Sequence, residues 1–411
     1  MGKMGRFVVE THGHITTLYD SVGDNPSPEG WTGLPMQPGS GECEHVDDLA
    51  MTLWDMEAYG VDMVLLYPSM IGTTNEGQLA LQDKHPDKFR SWCADQETKL
   101  KCHRENIPWT IDAAAEEIEK CLKTGLFIGI GEFIPRHWEP EYIYTIEQRF
   151  EEYCIFGDLA RKYKVPFSYH ELQWADFPFD PWVLLNFVAS KYWDVPIVVN
   201  HGGQSIGDYT MGDWKIRKSL NVAGKTMPRL EKDNLFLEVG TWQAEWMRMA
   251  CDDPNVGPTQ LLWGSDYGNV PQYITTDPRR EANGVATTFS TSMKRWRATP
   301  DYQSDWWGWE TTQIEKLKQW VGQDEVNLIV GGNAAKLFKL PVPCERMFLS
   351  GRPDIYGIYY ESSKPFIPIE QVINIDQKAA NAAVIEERKK NPPKFHPTDN
   401  VQKFRELYYG E

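Results

Sequence analysis

The sequence has 411 residues, of which 41% are hydrophobic and 13% aromatic, and it carries a formal net charge of -17. This composition is that of a folded chain with a sizeable core, and it excludes a disordered or fibrous protein. The acidic balance also argues against a nucleic-acid partner, because a nucleic-acid surface needs clustered Lys and Arg to displace counterions.

The seven cysteines are scattered without a CxxC pair, which predicts neither a disulfide framework nor a zinc knuckle. No stretch approaches the roughly 18–20 uninterrupted apolar residues of a membrane span. The first residues lead straight into a predicted strand, with no apolar segment of the signal-peptide kind. We therefore expect a soluble cytoplasmic protein without a membrane partner.

Short β-branched or aromatic segments alternate with longer helix-like segments, a pattern typical of parallel strands joined by crossover helices. Eight segments are predicted as strands: Phe7–Glu10, Met63–Tyr67, Phe89–Ala94, Phe127–Gly131, Pro166–Tyr169, Pro196–Asn200, Leu235–Val239 and Gln260–Gly264. Helices are predicted at Asp47–Tyr59, Asn75–His85, Thr110–Lys123, Ile143–Lys164, Pro181–Lys191, Trp242–Cys251 and Thr311–Val321. Eight strands predict an α/β fold, the (β/α)₈ TIM barrel.

Three stretches exceed what such a barrel needs. Residues 18–45 form a long loop after the first strand, and residues 268–309 form an insertion after the eighth, which includes Asp305-Trp306-Trp307-Gly308-Trp309. Loops that follow barrel strands build the active-site face, so we expect both to cover the site. Beyond a barrel domain of residues 1–340, the proline-rich residues 341–411 are expected to form an extended C-terminal arm that contacts another subunit in a homo- or hetero-oligomer.

The first predicted strand leads into His12-Gly13-His14. Because side chains alternate along a strand, His12 and His14 point to the same face, into the mouth of the barrel. Two imidazoles placed in this way can share one cation. The pair is a weak signal alone, but it lies at the C-terminal end of a strand, where barrel enzymes carry their chemistry.

Four further strand ends each supply one potential ligand. Singly, a strand-end histidine is more often structural, and an aspartate after serine is more often a helix cap. Four of the nine histidines, however, fall at the ends of strands one, five and six, with carboxylates at the ends of strands four and eight. The sequence therefore predicts a metal site formed by His12, His14, Glu132, His170, His201 and Asp266.

Five segments carry a family resemblance: His12-Gly13-His14, His170, Asn200-His201-Gly202-Gly203, Gly264-Ser265-Asp266-Tyr267 and the closing Ile329–Phe338. Together they resemble the amidohydrolase superfamily, and within it the amidohydrolase-related branch that includes aminocarboxymuconate-semialdehyde decarboxylase and the resorcylate decarboxylases. The resemblance covers roughly residues 5–340. It implies that four side chains hold a divalent metal: His12, His14, His170 and Asp266. His201 is then either an acid/base residue or a further ligand.

Two glutamates, Glu132 and Glu10, each allow two roles. Gly129-Ile130-Gly131-Glu132 is similar to strand four of TatD-type enzymes, in which a glutamate bridges two metals, so one or two cations of zinc, manganese or iron are expected per chain. Otherwise Glu132 orients a ligand histidine from behind. Glu10 is in phase with His12 and His14, and in resorcylate-type enzymes a glutamate at this spacing binds metal; the alternative is a buried ion pair with an arginine.

The resemblance implies an enzyme acting on a small molecule, and it leaves the reaction open. In a hydrolase, Asp266 would pass a water proton to the leaving group while His201 stabilises the oxyanion. In a non-oxidative decarboxylase, Asp266 or His201 would deliver the proton that replaces carbon dioxide. The chain also resembles dinuclear iron or iron–manganese monooxygenases of this fold, such as the 2-aminoisobutyrate hydroxylase system, and a non-catalytic metal-bearing subunit is a further alternative. We expect the hydrolase or decarboxylase, with a carboxylate- or amide-containing substrate.

Overall fold

A computed structural model describes residues 7–15, 52–53, 56–57, 59–68, 74–105, 107–132, 146–170, 181–203, 234–240, 242–253, 256–267, 306–343 and 366–368. All six predicted metal ligands fall within these residues. The predicted loop at 18–45, most of the insertion at 268–309 and most of the C-terminal arm lie outside them. The expected contact of that arm with another subunit therefore stays a prediction.

Eight parallel strands form one sheet, in which each strand pairs with the next along the chain. The sheet closes on itself, because the Thr11 amide donates to the Trp263 carbonyl at 3.0 Å and the Tyr267 amide donates to the His12 carbonyl at 3.0 Å. The predicted (β/α)₈ TIM barrel is thus confirmed. Its strands are β1 Val9–Gly13, β2 Met63–Leu66, β3 Phe89–Cys93, β4 Phe127–Ile130, β5 Phe167–Tyr169, β6 Ile197–Val199, β7 Leu235–Glu238 and β8 Leu261–Leu262.

Helices alternate with these strands. The described helices are α1 Asn75–Lys84, α2 Gln96–Glu105, α3 Ile111–Lys123, α4 Ile146–Tyr163, α5 Pro181–Lys191, α6 Ala244–Asp252, α7 Trp306–Val321, α8 Gln323–Asn327 and α9 Asn333–Leu337. Thr110 caps α3, because its hydroxyl accepts a hydrogen bond from the Ala113 amide. Helix α2 was not predicted. Within the described residues, no helix is long and apolar enough to cross a membrane.

The start of α7 corrects the predicted boundary of the insertion. The sequence predicts an insertion that ends at residue 309 and includes the tryptophan-rich group around Trp307, whereas the helix begins at Trp306. The Trp307 side chain is 1% exposed and stacks on Tyr267, with 3.8 Å between the ring centroids. Burial of this ring against the barrel extends the helix by one turn beyond the sequence prediction.

The strands pack on both faces, as parallel barrel strands do. On β2, Met63 and Leu65 belong to an inner hydrophobic cluster, while Val64 and Leu66 belong to an outer cluster shared with the helices. Residues Leu328–Gly332, which lead into α9, lie across the N-terminal end of β1. A side chain at Gly331 would collide there with the backbone of Phe7. The C-terminal strand ends are left as the face for chemistry.

Beyond the barrel, two short strands pair in antiparallel fashion: β9 Pro341–Pro343 and β10 Phe366–Pro368. Val342 is buried in the inner cluster. The first residues assigned to the C-terminal arm therefore pack as part of the barrel core.

A carboxyl pair joins the starts of two helices beside β3. Glu117 on α3 accepts hydrogen bonds from the amides of Glu97 and Thr98, at 3.0 and 2.7 Å, where α2 begins. Asn75 donates to both Glu97 and Glu117, so the two carboxyl groups lie close together. Burial, with the neighbouring Glu97, raises the pKa of Glu117 to about 9. Glu117 therefore holds a proton in the folded chain at neutral pH.

This raised pKa predicts a pH dependence of stability. A group whose folded pKa is raised stabilises fully below its unfolded value of 4.5, and the effect is lost as the pH rises toward about 9. Glu117→Gln cannot lose a proton, so we expect its Tm relative to wild type to increase between pH 5 and pH 9, measured on metal-free protein. Glu119→Gln is the control: the pKa of Glu119 is lowered to about 2 by Lys162 and Lys123, so its Tm difference should stay constant over that range. Parallel curves for Glu117→Gln and wild type would refute the protonated state of Glu117.

Candidate metal centre

The structure brings all six predicted ligands together at the C-terminal face of the barrel. The two histidines of the first motif lie on β1 and just after it, and the other four residues follow β4, β5, β6 and β8. Each side chain is at most 10% exposed. Their ligand atoms form two overlapping groups, in which the atoms lie within 4.8 Å of one another: His12, His14 and Asp266, and His12, Glu132, His170 and His201.

The first group is built around the motif on β1. The Nε2 atoms of His12 and His14 are 3.1 Å apart. Asp266 Oδ1 lies 3.0 Å from His14 Nε2 and 3.4 Å from His12 Nε2. The three side chains therefore face one point.

The second group combines β4, β5 and β6. The Nε2 atoms of His170 and His201 are 3.1 Å apart, and Glu132 Oε1 contacts His170 Nε2. The other oxygen of Glu132 lies 3.6 Å from His14 Nε2 and 3.9 Å from His12 Nε2. One carboxylate thus spans both groups.

These distances fit divalent cations. Two nitrogens bound to one cation at about 2.0–2.1 Å lie about 3.0–3.4 Å apart, depending on the coordination geometry. Both histidine pairs have their Nε2 atoms at this separation. Imidazole nitrogens and carboxylate oxygens are ligands for zinc, manganese and iron.

The charge of the site also favours a cation. Burial, together with the neighbouring histidines, lowers the pKa of His201 well below its ordinary value, so this imidazole is neutral. Burial alone would do the same to His12, but the carboxylates of Glu238 and Asp266 raise its pKa well above the ordinary value. Burial would raise the pKa of Glu132, yet the adjacent histidines hold it well below its usual range. The buried carboxylates of Glu132, Glu238 and Asp266 therefore favour the binding of a cation in the site.

Two of the six residues have left-handed backbones. His201 has φ 52° and Asp266 has φ 59°, a region that costs a non-glycine residue about 1–3 kcal/mol. After His201, Gly202 has φ 58°, and a side chain there would collide with Trp242. The Trp242 indole donates to the His201 carbonyl at 3.0 Å, which holds this turn. The left-handed turn and its close contact with Trp242 therefore explain why glycine follows His201 in the Asn-His-Gly-Gly motif.

A residue that the sequence analysis missed connects the ligands. Glu238, the last residue of β7, is fully buried, and its Oε2 lies 2.7 Å from His12 Nδ1 and accepts the His201 amide at 3.1 Å. Asn200 donates to the same oxygen at 3.2 Å, and the Thr11 hydroxyl donates to Oε1 at 3.2 Å. A carboxylate that holds Nδ1–H leaves Nε2 with its lone pair toward the metal. The only sequence signal was a glutamate in an otherwise apolar strand.

Glu10 does not join either group of ligand atoms in the described residues. Its phase along β1 predicted a side chain in the same interior as His12, but the pairing of β1 with β2 shifts between Glu10 and Gly13. Its carboxylate instead accepts hydrogen bonds from the Ser265 amide at 2.7 Å and the Trp307 indole at 2.9 Å. Burial raises the pKa of Glu10 to about 7.

The chain is similar to one protein family and to several solved structures. The family model described as Amidohydrolase matches residues 9–340. A zinc-bound amidohydrolase from Burkholderia multivorans is similar at 10% identity and a TM-score of 0.50, with 82% of this chain and 100% of that one covered. At 16% identity, 4-oxalomesaconate hydratase from Rhodopseudomonas palustris gives a TM-score of 0.44 over 81% of this chain and 95% of its own. An uncharacterized TIM-barrel protein from Bordetella bronchiseptica is similar at 14% identity and a TM-score of 0.48, with 80% of this chain and 97% of that one covered. No curated protein matches the chain.

The role of Glu238 yields a prediction about metal affinity. Glu238→Gln should weaken metal binding about 10- to 100-fold, because the amide is a poorer acceptor for His12 Nδ1–H. His170→Ala and Asp266→Ala each remove a ligand and should lose the cation that this ligand holds. Elemental analysis and competition with a chelator measure both effects.

Glu310→Gln provides the matched control, since Glu310 is also fully buried but contacts Trp263 rather than a predicted ligand. Its metal affinity should equal that of the wild type. If Glu238→Gln binds metal as tightly as Glu310→Gln, Glu238 does not support the centre.

Proposed function

The chain belongs to the amidohydrolase family, whose model matches residues 9–340, and from this membership we propose that it hydrolyses or non-oxidatively decarboxylates a small carboxylate- or amide-containing substrate. The position of Asp266 carries the proposal. Its carboxylate is buried and lies 3.0 Å from His14 Nε2 and 3.4 Å from His12 Nε2. A carboxylate held beside these imidazoles can exchange a proton with a molecule bound at the same point.

We assign the six side chains to two cation positions. The first would be held by His12, His14 and Asp266, and the second by His170 and His201, with Glu132 in reach of both. Two cations about 3.5–4 Å apart require such an anionic bridge and nitrogen ligands on each side. The span of Glu132 from His170 to His14 supports this assignment.

A bound divalent cation would supply Lewis acidity and would lower the pKa of its water to about 7. Asp266 performs the proton transfers. In hydrolysis it takes a proton from the attacking water and delivers it to the leaving group. In decarboxylation it delivers a proton to the carbon that loses carbon dioxide. The burial of Asp266 limits competing exchange with bulk water.

His201 takes one of two roles, which depend on the number of cations. Its Nε2 lies 3.1 Å from His170 Nε2, which supports a ligand role at the second position. With one cation bound, the neutral His201 imidazole is free to stabilise a developing oxyanion or to hold a proton. The ligand role is the one we propose for a dinuclear centre.

The bridging role of Glu132 predicts two metals per chain. Glu132→Gln should retain about one cation and lose the other, because an amide oxygen is neutral and cannot bridge two cations as a carboxylate does. Metal titration followed by elemental analysis measures the stoichiometry. A wild type that saturates at one metal, with Glu132→Gln unchanged, would assign Glu132 to the orientation of His170 instead.

A dinuclear iron or iron–manganese monooxygenase acting on a small amino acid is the second candidate. One observation supports it equally: a carboxylate, Glu132, spans two groups whose described donors are all imidazole nitrogens and carboxylate oxygens. This donor set binds iron and manganese as well as zinc. The two candidates share this donor set, and they differ in the metal that the protein acquires.

Metal identity separates the candidates. Protein purified without added metal is analysed for its metals, reduced anaerobically and exposed to oxygen with and without small amino or carboxylic acids. We expect no substrate-dependent oxygen uptake, and release of an amine or of carbon dioxide from the corresponding amide or carboxylic acid. Rapid substrate-dependent oxygen uptake with a change in absorbance would overturn this expectation and establish the monooxygenase.

A further inference from the structure

Two proposed ligands meet at a corner where β1 approaches the residues after β8. Asp266 has a left-handed backbone there and directly follows Ser265. The buried carboxylate of Glu10 accepts the amides of Ser265 and His12, at 2.7 and 2.9 Å, through Oε1. One carboxylate oxygen therefore joins the backbone before Asp266 to the backbone of His12.

Trp307 approaches the same corner from α7. Its indole Nε1 donates to Glu10 Oε2 at 2.9 Å and lies 3.1 Å from Ser265 Oγ. Its ring stacks on Tyr267, the residue after Asp266, at 3.8 Å and an interplanar angle of 20°. Trp307 is 1% exposed, so water does not compete for this hydrogen bond.

We propose that Trp307 and Glu10 are positioning residues of the metal centre, through which the first turn of α7 sets the placement of Asp266 and His12. The inference rests on the proposed function, because it concerns the geometry of the proposed ligands. Neither residue belongs to the groups of ligand atoms in the described chain.

The physical reason is the satisfaction of a buried carboxylate. Glu10 Oε2 receives the Trp307 indole and the Ser265 hydroxyl, and Glu10 Oε1 receives the two backbone amides. A buried carboxylate that loses a donor moves to recover one, because an unsatisfied polar group is costly in a low-dielectric interior. Movement of Glu10 would displace the Ser265 amide and, with it, the Asp266 carboxylate.

Trp307→Phe tests the inference, because it keeps an aromatic ring against Tyr267 and removes the N–H donor, while the loss of ring volume is shared with the control. Trp263→Phe is the matched control: Trp263 is also fully buried, but its indole donates to Glu310 rather than to Glu10. Both variants and the wild type are stripped of metal and loaded with cobalt(II), whose visible spectrum reports ligand geometry. Cobalt affinity and stoichiometry are measured in the same titration.

We expect Trp307→Phe to bind the same number of cobalt ions as the wild type, with a shifted visible spectrum and about 10- to 100-fold weaker affinity. Trp263→Phe should keep the wild-type spectrum and affinity. A wild-type spectrum and affinity in Trp307→Phe, or equal changes in both variants, would overturn the inference and leave the proposed function intact. A wild type that binds no cobalt would instead contradict the proposed function.

If Trp307→Phe does not fold, Ser265→Ala replaces it in the same titration. This variant removes the hydroxyl donor to the same oxygen of Glu10. A shifted spectrum at unchanged stoichiometry supports the inference, and an unchanged spectrum overturns it.

Discussion

The structure depends on one electrostatic constraint: four imidazoles and two carboxylates converge in a nearly solvent-free space at one end of the barrel. Buried carboxylates are stable only when they are paired, hydrogen-bonded or bound to a cation. Here the carboxylates of Glu132 and Asp266 face histidine Nε2 atoms, with distances that suit a shared cation. The surrounding residues act to maintain that arrangement.

Two further carboxylates hold the ligands from behind. Glu238 fixes the tautomer of His12 and the turn at His201, while Glu10 fixes the backbone on either side of the β1–β8 corner. Their hydrogen bonds help to retain the left-handed backbones of His201 and Asp266. Strain of this kind persists only where the surroundings over-determine the conformation, and it is concentrated at functional sites. The geometry of the proposed ligands therefore depends on the hydrogen bonds of Glu238 and Glu10 as well as on the ligands themselves.

The sequence predicted the barrel and the convergence of the six proposed ligands because both follow short-range rules. Parallel strands read as apolar segments, and side chains at their C-terminal ends meet at one face. Residues that depend on long-range contacts escaped prediction: Glu238 bonds to His12 across 226 positions, and Trp307 to Glu10 across 297. Strand alternation left Glu10 open as a ligand, whereas its carboxylate accepts hydrogen bonds from Ser265 and Trp307, and β1 shifts register between Glu10 and Gly13. The regular alternation of side chains along a strand does not predict such a shift in register.

The central claim is that the two groups of side chains hold cations. The most direct measurement is anomalous diffraction from crystals of the protein loaded with zinc or manganese, recorded on both sides of the absorption edge of the metal. The account predicts two anomalous peaks about 3.5–4 Å apart, one between the Nε2 atoms of His12 and His14 and one between those of His170 and His201, with Glu132 contacting both. Absence of any peak at these positions in metal-loaded crystals would contradict it.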